Sequence, residues 1–302
     1  MSDSMTVFNR RAVRRHRDRA AERLADHDFL FAESAARLAD RLADVTRNFP
    51  LALDLGCHGG ELARAVAGSD KIDALVHADL SPAMAARAPA PAVAADEEAL
   101  PFGDGVFDLI VSNLSLHWVN DLPGALTQLR RALKPDGLLL ASLLAGDTLS
   151  ELRQALSEAE IAEEGGLSPR VSPFADVRDL GGLLGRAGFA LPVADTDTLI
   201  VSYDTPEKLL MDLRGMGESN AVAMRRTGFS RRATIAAAMD AYRRTFANDD
   251  GRIPATFQIV TLTAWAPDPS QPQSLKPGSA EARLADALDA EEISGGEKAE
   301  PV

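Results

Sequence analysis

Apolar positions recur at helical spacing from 26 to 45 (Phe29, Leu30, Ala36, Leu38, Leu42, Val45) until Asn48-Phe49-Pro50 breaks the pattern. The period then shortens. Residues 51–55 form an apolar run of strand length, 61–67 return to helical spacing, and 74–78 are again strand-like. Ser81-Pro82 supplies an N-cap and a preorganised first helical position, so a short helix starts there. Val93 and Ala94 mark a short third strand, and 107–112 form a buried one. A helix over 123–133 follows, and Pro135-Asp136-Gly137 turns the chain into a strand at 138–143. Strands alternating with helices over about 100 residues predict a doubly wound α/β sheet, mostly parallel, with helices on both faces.

Beyond Gly146 the alternation loosens. Helices are expected over 148–160 and 176–187, the second closed by Gly188, with an irregular link at 168–174. The β-branched stretches 198–203 and 256–265 read as the last strands, the final one antiparallel. Between them a helical insertion at about 206–247 is interrupted by Gly215-Met216-Gly217-Glu218-Ser219-Asn220 and is placed to form a lid. That break reads as a helix-ending turn with ordinary caps or as part of a groove for an extended peptide, with Arg225 and Arg226 beside it. The resulting organisation is a helical arm (1–50), an α/β domain (51–266) and an acidic tail (267–302). The tail is expected to be disordered because it is rich in Pro, Gly, Ala and Glu.

With 46% hydrophobic residues among 302, the chain can bury a substantial core. No apolar run approaches the ~20 residues that span a bilayer, and no apolar block follows the basic residues of the N-terminal segment. The expected setting is a reducing, soluble compartment. A net charge of -13 argues against general nucleic-acid binding. The charge is uneven: Arg10, Arg11, Arg14, Arg15, Arg17, Arg19 and Arg23 crowd the arm, while acids crowd the tail. The arm therefore reads as a solvated helix face, or alternatively as an element that meets an acidic partner or covers a cofactor.

Candidate chemistry begins at Leu53-Asp54-Leu55-Gly56-Cys57-His58-Gly59-Gly60. Glycines leaving a strand let the backbone approach a ligand, and Asp79, about 20 residues on at the end of the next strand, is placed to bind a ribose diol. Two acidic features, Asp54 within the first strand and the run Ala95-Asp96-Glu97-Glu98, would repel a pyrophosphate and attract a sulfonium with an ammonium group. That selects S-adenosylmethionine over a dinucleotide. Cys57, the sole cysteine, suits a small residue packed beneath the cofactor rather than a nucleophile.

These motifs resemble the class I S-adenosylmethionine-dependent methyltransferases, whose Rossmann-like sheet ends in an antiparallel hairpin. The resemblance implies that Asp54, Gly56, Cys57 and Gly59 form the turn under the methionine and sugar, and that Asp79 binds the ribose hydroxyls. Leu80 would pack on the base, Asp96 would accept from the adenine amino group with Glu97 near the ring, and Asn113 would line the site. His58 stands where that pattern more often has glycine. Asn113, His117 and Trp118, after the fourth strand, are the candidate catalytic residues: His117 as a proton acceptor, or as a structural histidine beside Trp118. No metal is expected. His77-Ala78-Asp79 matches half of a two-histidine, one-carboxylate triad, but Asp79 is committed to the ribose and a third ligand is not evident.

Longer segments resemble the family of the fifth assembly factor of respiratory complex I. They include Val7-Phe8-Asn9-Arg10, 47–57, 115–123, 133–137, 146–149, 183–189 and 215–220. This resemblance implies a protein substrate, the iron-sulfur subunit of complex I near the quinone site. It further implies arginine hydroxylation where the fold alone would imply methylation. It places the protein in the cytoplasm of a bacterium, or on the matrix side in eukaryotic relatives, peripheral to an assembling membrane complex. The alternatives are an O-methyltransferase similar to the malonyl-acyl-carrier-protein enzyme of biotin synthesis, and a non-catalytic assembly chaperone.

Overall fold

The computed structural model describes residues 6–272 and 284–291. Seven strands form one sheet in the order β3-β2-β1-β4-β5-β7-β6: β1 (Phe49–Leu55), β2 (Ile72–Asp79), β3 (Ala92–Ala94), β4 (Phe107–Asn113), β5 (Leu133–Ala145), β6 (Ala190–Tyr203) and β7 (Ile253–Trp265). Pairing is parallel from β3 through β5, and β7 runs antiparallel to both β5 and β6. The class I methyltransferase sheet expected from sequence is therefore present. Its chain winds outward from β1 to β3, then returns to β4 on the other side of β1. That reversal opens a crevice at the carboxyl ends of β1 and β4, the usual ligand position in such sheets.

Period-two burial on both faces holds the sheet. Leu53, Leu55, Ile110 and Leu139 enter one apolar cluster with α5 (Leu122–Ala132) and α7 (Val177–Arg186). Their neighbours Ala52, Leu109, Val111, Leu138 and Leu140 enter another with Leu38 and Leu42 of α2 (Phe29–Asp44). A strand covered on both sides must be apolar at successive positions, which is why 51–53 of β1 and 109–111 of β4 are unbroken apolar runs. Between them in sequence lie α3 (Glu61–Ala65) and α4 (Pro82–Ala85); Ser81 caps the latter, accepting from the Met84 N–H at 3.1 Å.

Most strands start or end a little beyond their expected bounds, and two are much longer. β5 starts at Leu133, and 134–137 bulge out between the Phe107↔Leu133 and Leu109↔Leu138 pairings, so the expected turn is an irregularity within a strand. β6 starts at Ala190 rather than 198 because β7 offers it a full antiparallel edge. Its unfavourable acids are neutralised by α2: Asp195 accepts from Arg41 at 2.8 Å and Asp197 lies 3.3 Å from Arg37.

Beyond the sheet, α6 (Ser150–Glu164), α8 (Pro206–Gly215) and α9 (Arg232–Phe246) build an apolar cap with Leu152, Leu156, Leu209, Met239 and Tyr242. The arm contributes α1 (Arg10–Ala20), capped by the Asn9 side chain, and a 3-10 turn at Ala21–Asp26. Residues 1–267 form one compact unit and 268–302 a second. In the second, where a disordered tail is expected, Leu284–Leu288 forms a five-residue helix, α10. Residues 273–283 and 292–302 lie outside the described residues.

Candidate active site

The glycine turn is built for close approach. Gly56 has φ +75°, and a Cβ there would come within 2.1 Å of the Ser115 Cβ. The N–H groups of Gly56 and Cys57 donate to the Ala78 carbonyl at 2.7 and 3.0 Å, tying the turn to β2. His58 adopts φ +46°, a left-handed conformation that glycine enters more easily. It is held there because its ring stacks on Phe31 at 4.1 Å and its Nε2 lies 2.9 Å from the Asn113 carbonyl oxygen. Its backbone N–H meanwhile donates to Asp79 Oδ2 at 3.2 Å. His58 thus turns its side chain toward α2 and its amide toward the acid.

Burial, together with Asp54 and Asp79, pushes the Cys57 thiol well above its ordinary range, so it is a packing residue. Asp54 is fully buried and lies 2.9 Å from His77 Nδ1 across the β1–β2 pair. Burial raises its pKa against the opposing pull of His77. That contact uses one Asp54 oxygen; the other, Oδ1, is buried with no hydrogen-bond partner, so Asp54 is only half satisfied near the carboxyl end of β1. Among the described residues no group of three or more His, Cys, Asp or Glu is arranged to hold a metal ion.

Asp79, Leu80, Asp96 and Glu97 converge at the crevice. There they meet the arm. Asp79 Oδ1 accepts from the Ser81 N–H at 2.7 Å and from Arg17 Nη1 at 3.4 Å. Arg17 also donates to Glu97 at 3.2 Å and to Ser115 Oγ at 2.9 Å, and Ser115 Oγ donates to Glu97 at 2.6 Å. Arg10 donates to Asp96 at 2.6 Å and to Glu97. Arg17 is entirely buried. Burial works against ionised Glu97, but Arg17, Arg10 and Ser115 outweigh it and draw its pKa down to about 2. Leu80 packs against Phe8, Val13 and Trp118. The arm's arginines therefore divide: Arg10 and Arg17 cover the acids, while Arg11, Arg14, Arg15 and Arg19 face solvent.

After β4, Leu116–Trp118 forms a 3-10 turn. The Asn113 side chain is taken up by the fold, donating to the Phe31 carbonyl at 2.9 Å and accepting from Ser142 Oγ at 3.2 Å. His117 and Trp118 face Glu218, a residue that the sequence placed in a helix-ending turn or in a groove for an extended peptide. Trp118 Nε1 donates to Glu218 Oε2 at 2.9 Å, and His117 Nε2 lies 3.0 Å from the same oxygen. Burial opposes the Glu218 charge, but His117, Arg17 and His58 keep its pKa below the ordinary carboxylate value. Glu218 Oε1 and His117 Nδ1 are buried with no hydrogen-bond partner. Glu218 walls a cavity of about 180 Å³ together with Trp118, Leu144, Leu152, Phe174 and Asn220, and His117 stands behind that wall. A half-satisfied carboxylate under an aromatic wall suits a cationic side chain. The sequence signal for Glu218 was its place between Gly217 and Asn220. Gly217 has φ +84°, and a Cβ there would lie 3.2 Å from the Arg17 Cα, so the loop passes directly against α1.

A methyltransferase-domain family model matches residues 53–141. The mitochondrial arginine hydroxylase NDUFAF5 of Danio rerio is 43% identical over 93% of this chain and 89% of its own length. The malonyl-[acyl-carrier protein] O-methyltransferase of Halorhodospira halophila is 38% identical over 85% of this chain and 88% of its own. Among solved structures, Haemonchus contortus phosphoethanolamine N-methyltransferase 2, in complex with phosphomonomethylethanolamine and S-adenosylhomocysteine, shares the fold. Its TM-score is 0.53 at 17% identity, covering 85% of this chain and 60% of that one.

Proposed function

The chain belongs to the NDUFAF5 arginine-hydroxylase family within the class I methyltransferase fold, and from that premise we propose that it is an S-adenosylmethionine-binding enzyme that modifies a protein subunit during assembly of respiratory complex I. The observation carrying this reading is that the identity extends over the arm and the insertion as well as the cofactor-binding core. The substrate in this reading is the iron-sulfur subunit near the quinone site. The working location is a bacterial cytoplasm, or the matrix side in eukaryotic relatives.

The residues fit the cofactor once α1 draws back. The turn at Gly56–Gly60, where a Cβ on Gly56 has no room, lies beside Asp79, and Asp96 and Glu97 offer acids beyond β3. Asp79 then binds the ribose, Leu80 covers the base, and Asp96 and Glu97 take the adenine edge. When bound, S-adenosylmethionine supplies a methyl group on a sulfonium. Glu218 Oε1 and the Trp118 ring hold a guanidinium in the adjoining cavity, and His117, oriented by Glu218 through Nε2, keeps Nδ1 free to accept a proton. Methyl transfer needs alignment and exclusion of water, which buried walls supply. Hydroxylation needs in addition an oxygen donor and its reducing partner as co-substrates.

A second reading, O-methylation of an acyl-carrier-protein thioester, draws on the likeness to the malonyl enzyme. Mass spectrometry of the iron-sulfur subunit from wild-type and deletion strains separates them. A gain of one oxygen or one methyl on an arginine, lost in the deletion strain, supports the first reading. An unmodified subunit together with biotin auxotrophy overturns it in favour of the second.

A further inference from the structure

The loop between α8 and α9 carries the most exposed large apolar side chains of the compact unit. Phe229 is 101% exposed and Met224 82%. Both sit among Arg225, Arg226, Arg231 and Arg232. The nearby acid, Glu164, is occupied: it pairs with Arg226 and accepts from Thr234 Oγ1 at 2.7 Å. Arg231 and Arg232 face solvent. The root of the loop is laced to the arm, since Asn9 N–H donates to the Ala221 carbonyl and Ala223 N–H to the Val7 carbonyl, each at 2.8 Å. His16 of α1, 3.1 Å from the Ser219 carbonyl, has its pKa lowered by burial and then by Arg19, Arg225 and Arg15. Arg15 and Arg19 are exposed on the same helix, so the outer face of α1 continues the basic loop. All this lies on a chain of net charge -13. Bulk charge would keep such a protein away from an anionic surface, so a local cluster of arginines around two protruding apolar residues is a directional feature.

We propose that the 221–232 loop and the outer face of α1 form a contact surface for an anionic lipid bilayer. Phe229 and Met224 enter the headgroup region, and Arg15, Arg19, Arg225, Arg231 and Arg232 bind lipid phosphates. A bilayer is the favoured occupant because exposed arginines that match anionic headgroups flank two apolar side chains standing free in solvent. Phe229 protrudes on every side, and a fluid surface receives it without a preformed pocket, whereas a protein partner would have to supply one. The placement has a use: Ser219 and Asn220, at the root of the loop, line the cavity beside Glu218, so docking brings the cavity mouth to the membrane surface. The proposal does not rest on the chemistry assigned to the site.

The test is co-sedimentation of the full chain with vesicles of phosphatidylcholine alone and with about 30 mol% phosphatidylglycerol. Binding is expected only to the anionic vesicles, and to weaken as salt rises. Arg231→Glu with Arg232→Glu should weaken it roughly fivefold or more per residue. Phe229→Ser with Met224→Ser should weaken it about tenfold, with the circular dichroism unchanged. Failure of the wild-type chain to bind, or equal binding by both double variants, overturns the proposal. So does loss of co-purification with an acidic protein in a chain that never binds vesicles, which would assign the face to a protein partner.

Discussion

Gly56 and Ser115 show how one side chain fixes the turn. A methyl group at Gly56 has nowhere to go and the backbone there is left-handed, so Gly56→Ala should destabilise the protein by on the order of 3 kcal/mol, read as a lowered thermal midpoint. Glu218 makes a complementary case for chemistry. Gln at this position keeps the size and can still accept from Trp118, but it removes the charge. Glu218→Gln should cut substrate modification at least tenfold while S-adenosylmethionine affinity in calorimetry stays within about twofold; equal loss of both would make Glu218 a structural residue. Glu97 carries the pH dependence. Its folded pKa of about 2 lies below its ordinary 4.5, so its ion pairs stabilise fully above about 4.5 and that stability is lost as pH falls toward 2. The loss should be on the order of 3 kcal/mol across that window in urea titrations, and Glu97→Gln should flatten it. Asp79, Asp96 and Glu97 were legible because an acid at a strand end has a spacing rule. Glu218 had none, since its partners stand about 100 residues away in sequence.

Helix α1 was the element hardest to read. Its arginines look like a solvated face, yet Ala12, Val13, Arg17 and Ala20 are the buried side, with Arg17 in the row where an apolar residue is expected. Helical spacing from Val13 through Arg17 to Ala20 and Leu24 is the signal that was available. Only the acids across the crevice explain why an arginine can be there: fully buried, it is matched by Asp79 and Glu97. Arg17→Met should therefore lower the thermal midpoint of the cofactor-free protein, because it leaves two buried carboxylates short of a partner. The same change frees Asp79 for a ribose, so the upward shift on adding S-adenosylmethionine should exceed that of the wild type; a smaller shift would mean that Arg17 helps to bind the cofactor. β6 was under-read for the reverse reason. Asp195 and Asp197 are poor strand residues alone, and their support comes from Arg37 and Arg41 on α2.

Across the molecule, the doubly wound, mostly parallel sheet was legible from the alternation of strands and helices, because a sheet covered on both faces leaves its period in the sequence; the strand order came from the structure. The way the two covers meet was not legible. Arm and insertion touch where Gly217 passes the Arg17 backbone, and from that junction Arg17 reaches Asp79 while Glu218 reaches His117 and Trp118. With Asp79 as the proposed ribose ligand, Arg17 stands as an internal competitor for it. Cofactor would then occupy Asp79 only in the fraction of molecules whose helix has swung away, so the apparent dissociation constant would be the intrinsic one divided by that fraction. If one molecule in about a hundred is open, affinity falls about a hundredfold. On that proposal the protein would fill with S-adenosylmethionine only when the cofactor is abundant, and a partner that draws the arm aside would set the threshold.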